Sequence, residues 1–293
     1  MKPILFRGVA TALVTPFSDG RVDYAALKRL TAYQIDRGAD ALVVCGTTGE
    51  APTLTAIEKL RCIATVAETA NQRVPVIAGT TTNDTGYSVK LSRLAAREGI
   101  SGILAVAPYY NRPMSEGLAE HFRRIAEEAE KPLIVYNIPS RTGCEVKNDT
   151  YDALADHPLI VGVKEASGSI SRASELAARY EGRLAVYSGN DDQTLPTLAV
   201  GGKGVISVVS NLFPYEMHLL CRLWVEGKTA ECLALHRELL PLMKAVFAET
   251  NPIPVKAAME VLGFCSAEVR LPLTAAKPET LAKLTEAMAG LLG

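Results

Sequence analysis

One lysine stands where a reactive amine is expected. Lys164 directly follows the apolar run at residues 160–163, which has the composition of a buried strand. A buried ammonium is costly, so burial favours the neutral amine, and the neutral amine is the nucleophile of Schiff-base chemistry. The alternative is a structural lysine that pairs with a carboxylate such as Glu165.

The alternation of side chains along a strand predicts where this lysine points. With a period of two, Ile160, Gly162 and Lys164 share one face, and Val161 and Val163 share the other. We therefore expect the lysine to project into the interior of the fold, and the two valines to pack against outer helices.

Three further groups suit chemistry on a carboxylic acid. Tyr136 ends the preceding apolar run, where its phenol could move protons beside the lysine, or simply pack with one hydrogen bond. Thr47 and Thr48 lie in a tight glycine-flanked turn, which is either a nest for a carboxylate or an ordinary turn. Arg141 could hold a second carboxylate in bidentate fashion, or form a surface salt bridge.

Metal chemistry has little support in the sequence. No histidine ends an apolar run, and the carboxylates at those positions are few, namely Glu50 and Glu165. A metal-dependent aldolase or hydrolase needs a cluster of such ligands. The six cysteines are scattered, without a C-x-x-C pair, as in a protein with reduced thiols. We expect no metal and no cofactor.

The elements that position these groups form a repeat. Amphipathic segments such as residues 24–37 and 57–69 separate the apolar runs, and Asp84, Ser115 and Ser169 are expected N-caps of helices. This alternation predicts an α/β fold, a (β/α)8 TIM barrel with its site at the carboxyl ends of the strands. A doubly wound sheet is the alternative, but the first strand lacks a G-x-G-x-x-G turn. The eight runs are residues 9–14, 41–44, 76–78, 103–107, 133–136, 160–163, 185–187 and 205–208.

The pattern changes after Gly227, where only helical segments follow. We expect residues 1–227 to form the barrel with the active site, and residues 228–293 to form a helical C-terminal extension. The predicted helices of the extension are residues 230–247, 254–262 and 278–291.

Composition excludes several classes of protein. The chain has 293 residues, with 31 Lys and Arg against 32 Asp and Glu, a net charge of −1. This balance lacks the basic field of a nucleic-acid binder, and no apolar run is long enough to span a membrane. We expect a cytoplasmic enzyme without nucleic-acid or membrane partners, whose anionic substrates are met by local groups.

Several motifs together carry a family resemblance. Their identity and order over essentially the whole chain resemble the dihydrodipicolinate synthase family, within the superfamily that includes N-acetylneuraminate lyase. The segment around Arg141 is more similar to the synthases than to the lyase. The motifs are Gly46-Thr47-Thr48-Gly49-Glu50, Pro108-Tyr109-Tyr110-Asn111, Tyr136-Asn137-Ile138-Pro139-Ser140-Arg141-Thr142-Gly143, Val163-Lys164-Glu165-Ala166, Gly204-Val205-Ile206-Ser207-Val208 and Asn251-Pro252-Ile253-Pro254-Val255-Lys256.

The resemblance implies a reaction, the condensation of pyruvate with L-aspartate 4-semialdehyde in lysine and diaminopimelate biosynthesis. It assigns Lys164 to a Schiff base with pyruvate, and Thr47 and Thr48 to its carboxylate end. Tyr136, Thr47 and Tyr110 are implied to form a proton relay.

The resemblance also implies that Tyr110 comes from a neighbouring subunit of a homotetramer, built as a dimer of dimers. It assigns Arg141 to the carboxylate of the aldehyde, and places the carbonyl of Ile206 near the lysine. Another pyruvate-dependent class I aldolase, of the N-acetylneuraminate lyase or 2-keto-3-deoxy sugar-acid type, is the alternative. A third hypothesis is a non-catalytic barrel that only binds a small acid. The presence of Lys164, Tyr136 and Thr47 together argues against it, since a binding protein needs no nucleophile.

One part of the chain departs from the family pattern. Lysine-inhibited bacterial members typically place a His and a Glu at the positions of Lys59 and Tyr87 in an allosteric pocket, whereas Asn83 and Tyr109 match. Loss of the Glu removes the counter-charge for an incoming ammonium, so we expect weak or no inhibition by lysine.

Overall fold

Eight parallel strands close into a barrel in the computed structural model, which describes residues 2–292. The strands of the barrel are β1 Gly8–Ala12, β4 Ala41–Val44, β5 Val76–Gly79, β6 Gly102–Val106, β7 Leu133–Asn137, β8 Ile160–Glu165, β9 Ala185–Ser188 and β10 Gly204–Ser207. Around the ring the order is β1, β10, β9, β8, β7, β6, β5 and β4, so each barrel strand pairs with the barrel strands before and after it in the chain, and β10 closes against β1. The predicted TIM barrel is confirmed, and each strand overlaps one predicted run.

Helices surround the barrel and extend beyond it at the C-terminus. A small hairpin, β2 Phe17–Ser18 with β3 Arg21–Val22, is an addition that the sequence pattern did not predict. The helices are α1 Tyr24–Asp36, α2 Ala56–Ala70, α3 Thr85–Ala96, α4 Ser115–Ala129, α5 Pro139–Thr142, α6 Asn148–Leu154, α7 Ile170–Arg179, α8 Thr194–Ala199, α9 Pro214–Val225, α10 Thr229–Ala245, α11 Ile253–Val261 and α12 Pro278–Leu292. Within residues 2–292, no helix is both long and apolar enough to cross a membrane.

The strand that carries the lysine is not regular. The register of β8 against β7 shifts by one residue near its start. The shift turns Ile160 toward the helices and Val161 into the barrel, so the predicted faces of these two residues are wrong. Beyond the shift the prediction is correct, because Val163 packs outward and Lys164 lies inside against the side chain of Tyr136.

Two of the three predicted helix caps are confirmed. Asp84 accepts a hydrogen bond from the backbone N–H of Tyr87, and Ser169 accepts one from Arg172 at 3.1 Å. The prediction for Ser115 is wrong, because this residue is already the first of α4 and Met114 occupies the cap position without a side-chain bond. Ser115 has the right type but lies one position too late to reach the free N–H groups.

The C-terminal helices share a hydrophobic core with the barrel. Val9 of β1 and Val205 of β10 belong to one buried cluster with Leu239, Val255 and Leu284 from α10, α11 and α12. This packing fixes the extension against one side of the barrel. We retain the division at residue 227 as a proposal about how the chain is organised.

A hydrogen-bonded pair of His218, on α9, and Asp40 makes the free energy of unfolding depend on pH. His218 Nδ1 lies 3.0 Å from Asp40, whose carboxylate also accepts the N–H of Val9 at 2.8 Å. The hydrogen bond to Asp40 raises the pKa of His218 above its ordinary value. The resulting stabilisation is complete below the unfolded-state pKa and is lost as pH rises through the raised folded-state pKa.

We therefore expect His218→Asn to destabilise the protein by roughly 0.5–1 kcal/mol at about pH 6 and by less at about pH 9. Urea unfolding of both proteins at the two pH values measures the difference. An equal loss at both pH values would show that the imidazolium form contributes nothing.

Candidate active site

Lys164 lies inside the mouth of the barrel. It pairs across β7 and β8 with Tyr136, and its Nζ lies 4.2 Å from the centroid of that ring. The lysine is only 6 % exposed, yet no ion pair to it exists among residues 2–292. Glu165 is engaged elsewhere, since it accepts bonds from Asn137 at 2.9 Å and from the N–H of Ser167 at 2.7 Å. The alternative of a structural Lys164–Glu165 pair is therefore not observed.

A glycine directly after the next strand makes room for the lysine. A Cβ at Gly189 would lie 3.1 Å from Cε of Lys164 and 2.5 Å from Cβ of Ala166. Only glycine fits this close approach, so the residue that follows β9 has a steric role that the sequence alone did not reveal. Ile206 of β10 is fully buried in the same interior cluster as Tyr136.

A cavity of about 260 Å³ opens beside the phenol. Thr47, Tyr136 and Arg141, which sequence reasoning had selected separately, line it together. Lys59 and Tyr109 line it as well, although they were predicted for a separate allosteric pocket. Among the described lining residues, Lys59 and Arg141 are cationic and none is an Asp or Glu. The cavity is therefore suited to anions.

The turn after β4, whose Thr47 lines the cavity, contains unpaired donors. The backbone N–H groups of Thr47 and Thr48 make no hydrogen bond to any group in residues 2–292. A hydrogen bond stabilises the turn, since the hydroxyl of Thr15 donates to the carbonyl of Gly49 at 2.7 Å. Two adjacent unpaired N–H groups are the kind of donor set that a carboxylate-binding nest requires.

Asn251, from the C-terminal extension, connects two of the predicted residues. Its amide donates to Oγ1 of Thr48 at 3.0 Å, and its backbone carbonyl accepts from Arg141 at 3.1 Å. Asn251 is buried, and the alternative considered for Arg141, a surface salt bridge, does not occur among the described residues. Sequence reasoning noted Asn251 only as part of a family motif and gave it no role, since its contacts cross more than a hundred positions of the chain.

A buried ion pair supports the same turn. Nζ of Lys256 lies 2.8 Å from Glu50, and both side chains are almost completely buried. The second carboxylate oxygen of Glu50 accepts the N–H of Arg270 at 2.9 Å, and Lys256 also lies over the ring of Phe17 at 4.1 Å. Burial lowers the pKa of Lys256, and the carboxylate opposes that effect. Glu50 is thus a structural group that links the turn to α11.

Several predicted residues are not among those that line the cavity, namely Thr48, Lys164, Ile206, Tyr110, Asn83 and Tyr87. Tyr110 is 89 % exposed, with φ of +72°, and lines a surface groove next to Arg141. The backbone carbonyl of Asn83 accepts from Asn111 at 2.9 Å. Tyr87 lies on α3 with its ring centroid 5.9 Å from Nζ of Lys59. No group of three potential metal ligands exists among residues 2–292.

Lys164 and Tyr136 lie in contact at the carboxyl ends of two adjacent strands of a closed parallel barrel. This arrangement is typical of barrel enzymes that form a Schiff base on a lysine. The chain belongs to the dihydrodipicolinate synthetase family, whose profile matches residues 5–290. The resemblance predicted from the motifs is thereby confirmed.

Relatives at high coverage agree with this assignment. The chain is 43 % identical over 284 residues to a protein of Clostridium novyi named 4-hydroxy-tetrahydrodipicolinate synthase, covering 97 % of this chain and 96 % of that one. It is 46 % identical to the protein of the same name from Citrifermentans bemidjiense, covering 97 % and 98 % of the two chains. The crystal structure of dihydrodipicolinate synthase from Aquifex aeolicus is similar with a TM-score of 0.95, at 44 % identity and 98 % coverage of both chains.

Proposed function

We propose that this chain is a lyase that condenses pyruvate with L-aspartate 4-semialdehyde to 4-hydroxy-tetrahydrodipicolinate, in lysine and diaminopimelate biosynthesis. Family membership and the names of its relatives support this activity. The observation that carries the mechanism is the buried amine of Lys164, which lies on Tyr136 with no carboxylate partner among the described residues. A lysine that only stabilised the fold would need a counter-charge.

Lys164 is the nucleophile of the proposed reaction, and the phenol of Tyr136 is the proton donor. Nζ of Lys164 attacks C2 of pyruvate, and a proton from Tyr136 allows the former carbonyl oxygen to leave as water. Loss of a C3 proton then gives the enamine, whose C3 attacks the aldehyde carbon. The amino group of the second substrate displaces Lys164 from the imine, which closes the ring and restores the free amine.

Carboxylates of the two substrates are held by different groups. The free N–H groups of Thr47 and Thr48 suit the carboxylate of pyruvate. Arg141, at the cavity wall with one N–H anchored on Asn251, suits the carboxylate of the semialdehyde. The position of Ile206 on the neighbouring strand supports a role for its carbonyl beside Lys164.

The exposure of Tyr110 supports an oligomeric enzyme. The left-handed backbone of Tyr110 costs free energy, and this conformation of a mostly exposed ring is accounted for if the ring enters the site of a neighbouring copy. We infer a homotetramer, a dimer of dimers, in which Tyr110 completes the relay of Tyr136 and Thr47. The scattered cysteines support a cytoplasmic location.

Borohydride trapping tests the mechanism, and substrate assays test the reaction. Reduction in the presence of pyruvate, followed by peptide mass spectrometry, is expected to place a pyruvate adduct on Lys164. Turnover with aspartate semialdehyde is expected, and cleavage of N-acetylneuraminate is not. An adduct on another lysine would refute the mechanism, whereas an adduct on Lys164 with turnover of only a sugar acid would favour the aldolase alternative.

Asn251 gives a test of how the site is positioned. We expect Asn251→Ala to raise KM for pyruvate by up to about tenfold, since Thr48 loses one hydrogen bond. KM for the semialdehyde is expected to change little, because Arg141 bonds to the backbone carbonyl, which alanine retains. Initial rates, with each substrate varied in turn, give the two KM values separately. Thr48→Val is the matched variant, because it removes the other partner of the same hydrogen bond. An equal rise in both KM values would contradict this role.

Inhibition by lysine is expected to be weak or absent. A lysine ligand entering the predicted pocket of Lys59, Asn83, Tyr87 and Tyr109 would bring a second ammonium to a cavity whose lining, among the described residues, offers no carboxylate. Initial rates measured with sub-millimolar lysine should therefore match the rate without it. Strong inhibition in that range would refute the prediction, and gain of inhibition in a Lys59→His, Tyr87→Glu double variant would support its cause.

A further inference from the structure

Asp191 is a buried carboxyl group to which the proposed reaction gives no role. It lies three residues after β9 and is 1 % exposed. Its side chain makes no ion pair with any group in residues 2–292. An ionised carboxylate at this depth is costly unless hydrogen bonds or a nearby cation compensate it. The groups around Asp191 therefore indicate what its charge does.

Three donors at the end of β10 favour the ionised form of Asp191. The backbone N–H of Val208 donates to the carboxylate at 2.9 Å, and that of Val209 at 3.3 Å. The hydroxyl of Ser207 is the third donor, because its oxygen already accepts the N–H of Ser210 at 2.9 Å and its hydrogen is available for Asp191. Hydrogen bonds donated to a carboxylate stabilise its charged form.

Lys164 is a cation that acts on this carboxylate. Gly189, two residues before Asp191, approaches the lysine so closely that a Cβ at the glycine would lie 3.1 Å from Cε of Lys164. Burial raises the pKa of Asp191, and the hydrogen bonds and the charge of Lys164 oppose that rise. Neither side chain has a direct ion partner in the described part of the chain, so the two charges act on each other at a distance.

This pair gains a purpose when pyruvate reacts, so the argument rests on the proposed function. The neutral amine of Lys164, the keto group of pyruvate and one proton give a cationic iminium and water. A C=N bond to Nζ replaces the C=O bond, and the positive charge then lies within the barrel. A fixed anion stabilises such a developing charge without having to reorganise.

We propose that Asp191 is a positioning residue whose carboxylate, at the end of β9, stabilises the cationic iminium on Lys164. It acts through the lysine and takes no proton from the substrate. The ammonium of the free enzyme and the iminium carry the same charge, so Asp191 favours both of them. It strengthens the binding of pyruvate only where the free amine is neutral, which is at alkaline pH.

Asp191→Asn tests this role because it removes the charge and retains the shape of the side chain. Pyruvate is titrated calorimetrically into the full-length protein between about pH 6 and about pH 9. We expect both proteins to bind pyruvate similarly at the acid end, and the variant to bind it about tenfold more weakly at the alkaline end. Borohydride trapping with peptide mass spectrometry verifies that the complex is an adduct on Lys164.

Other titratable groups near the pair do not produce this difference. Tyr136 of β7 and Glu165 of β8 are the same in both proteins. Cys221 of α9 senses the charge of Asp191, but burial raises the pKa of its thiol far above the ordinary value. This thiol stays neutral throughout the titration.

Three further variants separate charge from structure. Asp192→Asn removes the neighbouring exposed carboxylate and should leave the affinity for pyruvate unchanged at every pH. Ser207→Ala removes one hydrogen bond to Asp191 but keeps its charge, so any loss of affinity should be equal at the two ends of the pH range. Asp191→Ser is a second neutral variant, so the result does not depend on the folding of Asp191→Asn alone.

The outcomes distinguish this role from the proposed function. A loss in both neutral variants that is the same at every pH would show that Asp191 only supports the fold, and would overturn the proposal. Unchanged affinity at alkaline pH would overturn it as well, although the adduct on Lys164 would still support the Schiff-base reaction. Absence of an adduct in the unaltered protein would refute the proposed function and this role together.

Discussion

Lys164→Ala is expected to lower kcat by about 10⁴-fold or more, because the covalent step loses its nucleophile. The lysine is buried against Tyr136 and makes no ion pair among the described residues, so its loss breaks no direct salt bridge. The buried carboxylate of Asp191, which feels the charge of Lys164, keeps its hydrogen bonds from Ser207 and Val208. The fold should therefore survive, and unfolding by urea is expected to stay close to that of the unaltered protein. Single-turnover and steady-state rates with both substrates measure the effect.

Two controls separate the nucleophile from its charge. Lys164→Arg keeps a cation but cannot form an imine, so it should be as inactive as the alanine variant and should yield no adduct on reduction. Lys203→Ala removes a lysine just before β10, at the opposite end of the barrel, where its Nζ donates to the carbonyl of Gly201 at 2.9 Å. This control should retain full activity. Substantial activity in Lys164→Arg would contradict a Schiff-base mechanism.

The barrel could be predicted because its signals are local. A strand covered on both faces is apolar at nearly every position, and each of the eight runs shows this within a few residues. The carboxyl ends of parallel strands must also meet at one end of a closed barrel. That rule alone brings Thr47, Tyr136 and Lys164 into one region, and the structure places them there.

What the sequence could not predict depends on register and on distant contacts. The shift in β8 that exchanges the faces of Ile160 and Val161 leaves no mark in an unbroken apolar run. Asn251 reaches Thr48 across 203 positions, and nothing in its local sequence indicates that contact. Lys59 lies on a helix, so a rule about strand ends could not place it in the cavity.

The second large effect concerns stability. We expect Lys256→Met to lower the free energy of unfolding by about 3–5 kcal/mol, since it leaves the carboxylate of Glu50 buried without its counter-charge. Urea unfolding measures this loss. A double variant, Lys256→Met with Glu50→Gln, should recover part of it because no buried charge then remains. Lys228→Met is the matched control, since Lys228 and Glu226 also lie 2.8 Å apart but at the surface, where the change should be too small to measure.

The same variant tests whether the C-terminal extension serves the site. Glu50 follows directly on the turn whose N–H groups are proposed to hold pyruvate. Its φ is +54°, and its carboxylate is held by Lys256 and by the N–H of Arg270. Under conditions where Lys256→Met is still folded, the turn should be less ordered and KM for pyruvate should rise severalfold. A destabilised protein with an unchanged KM would show that the ion pair supports the fold alone. A raised KM would make α11 part of the apparatus that binds the first substrate, because a barrel without this helix would lack the cation that fixes the turn.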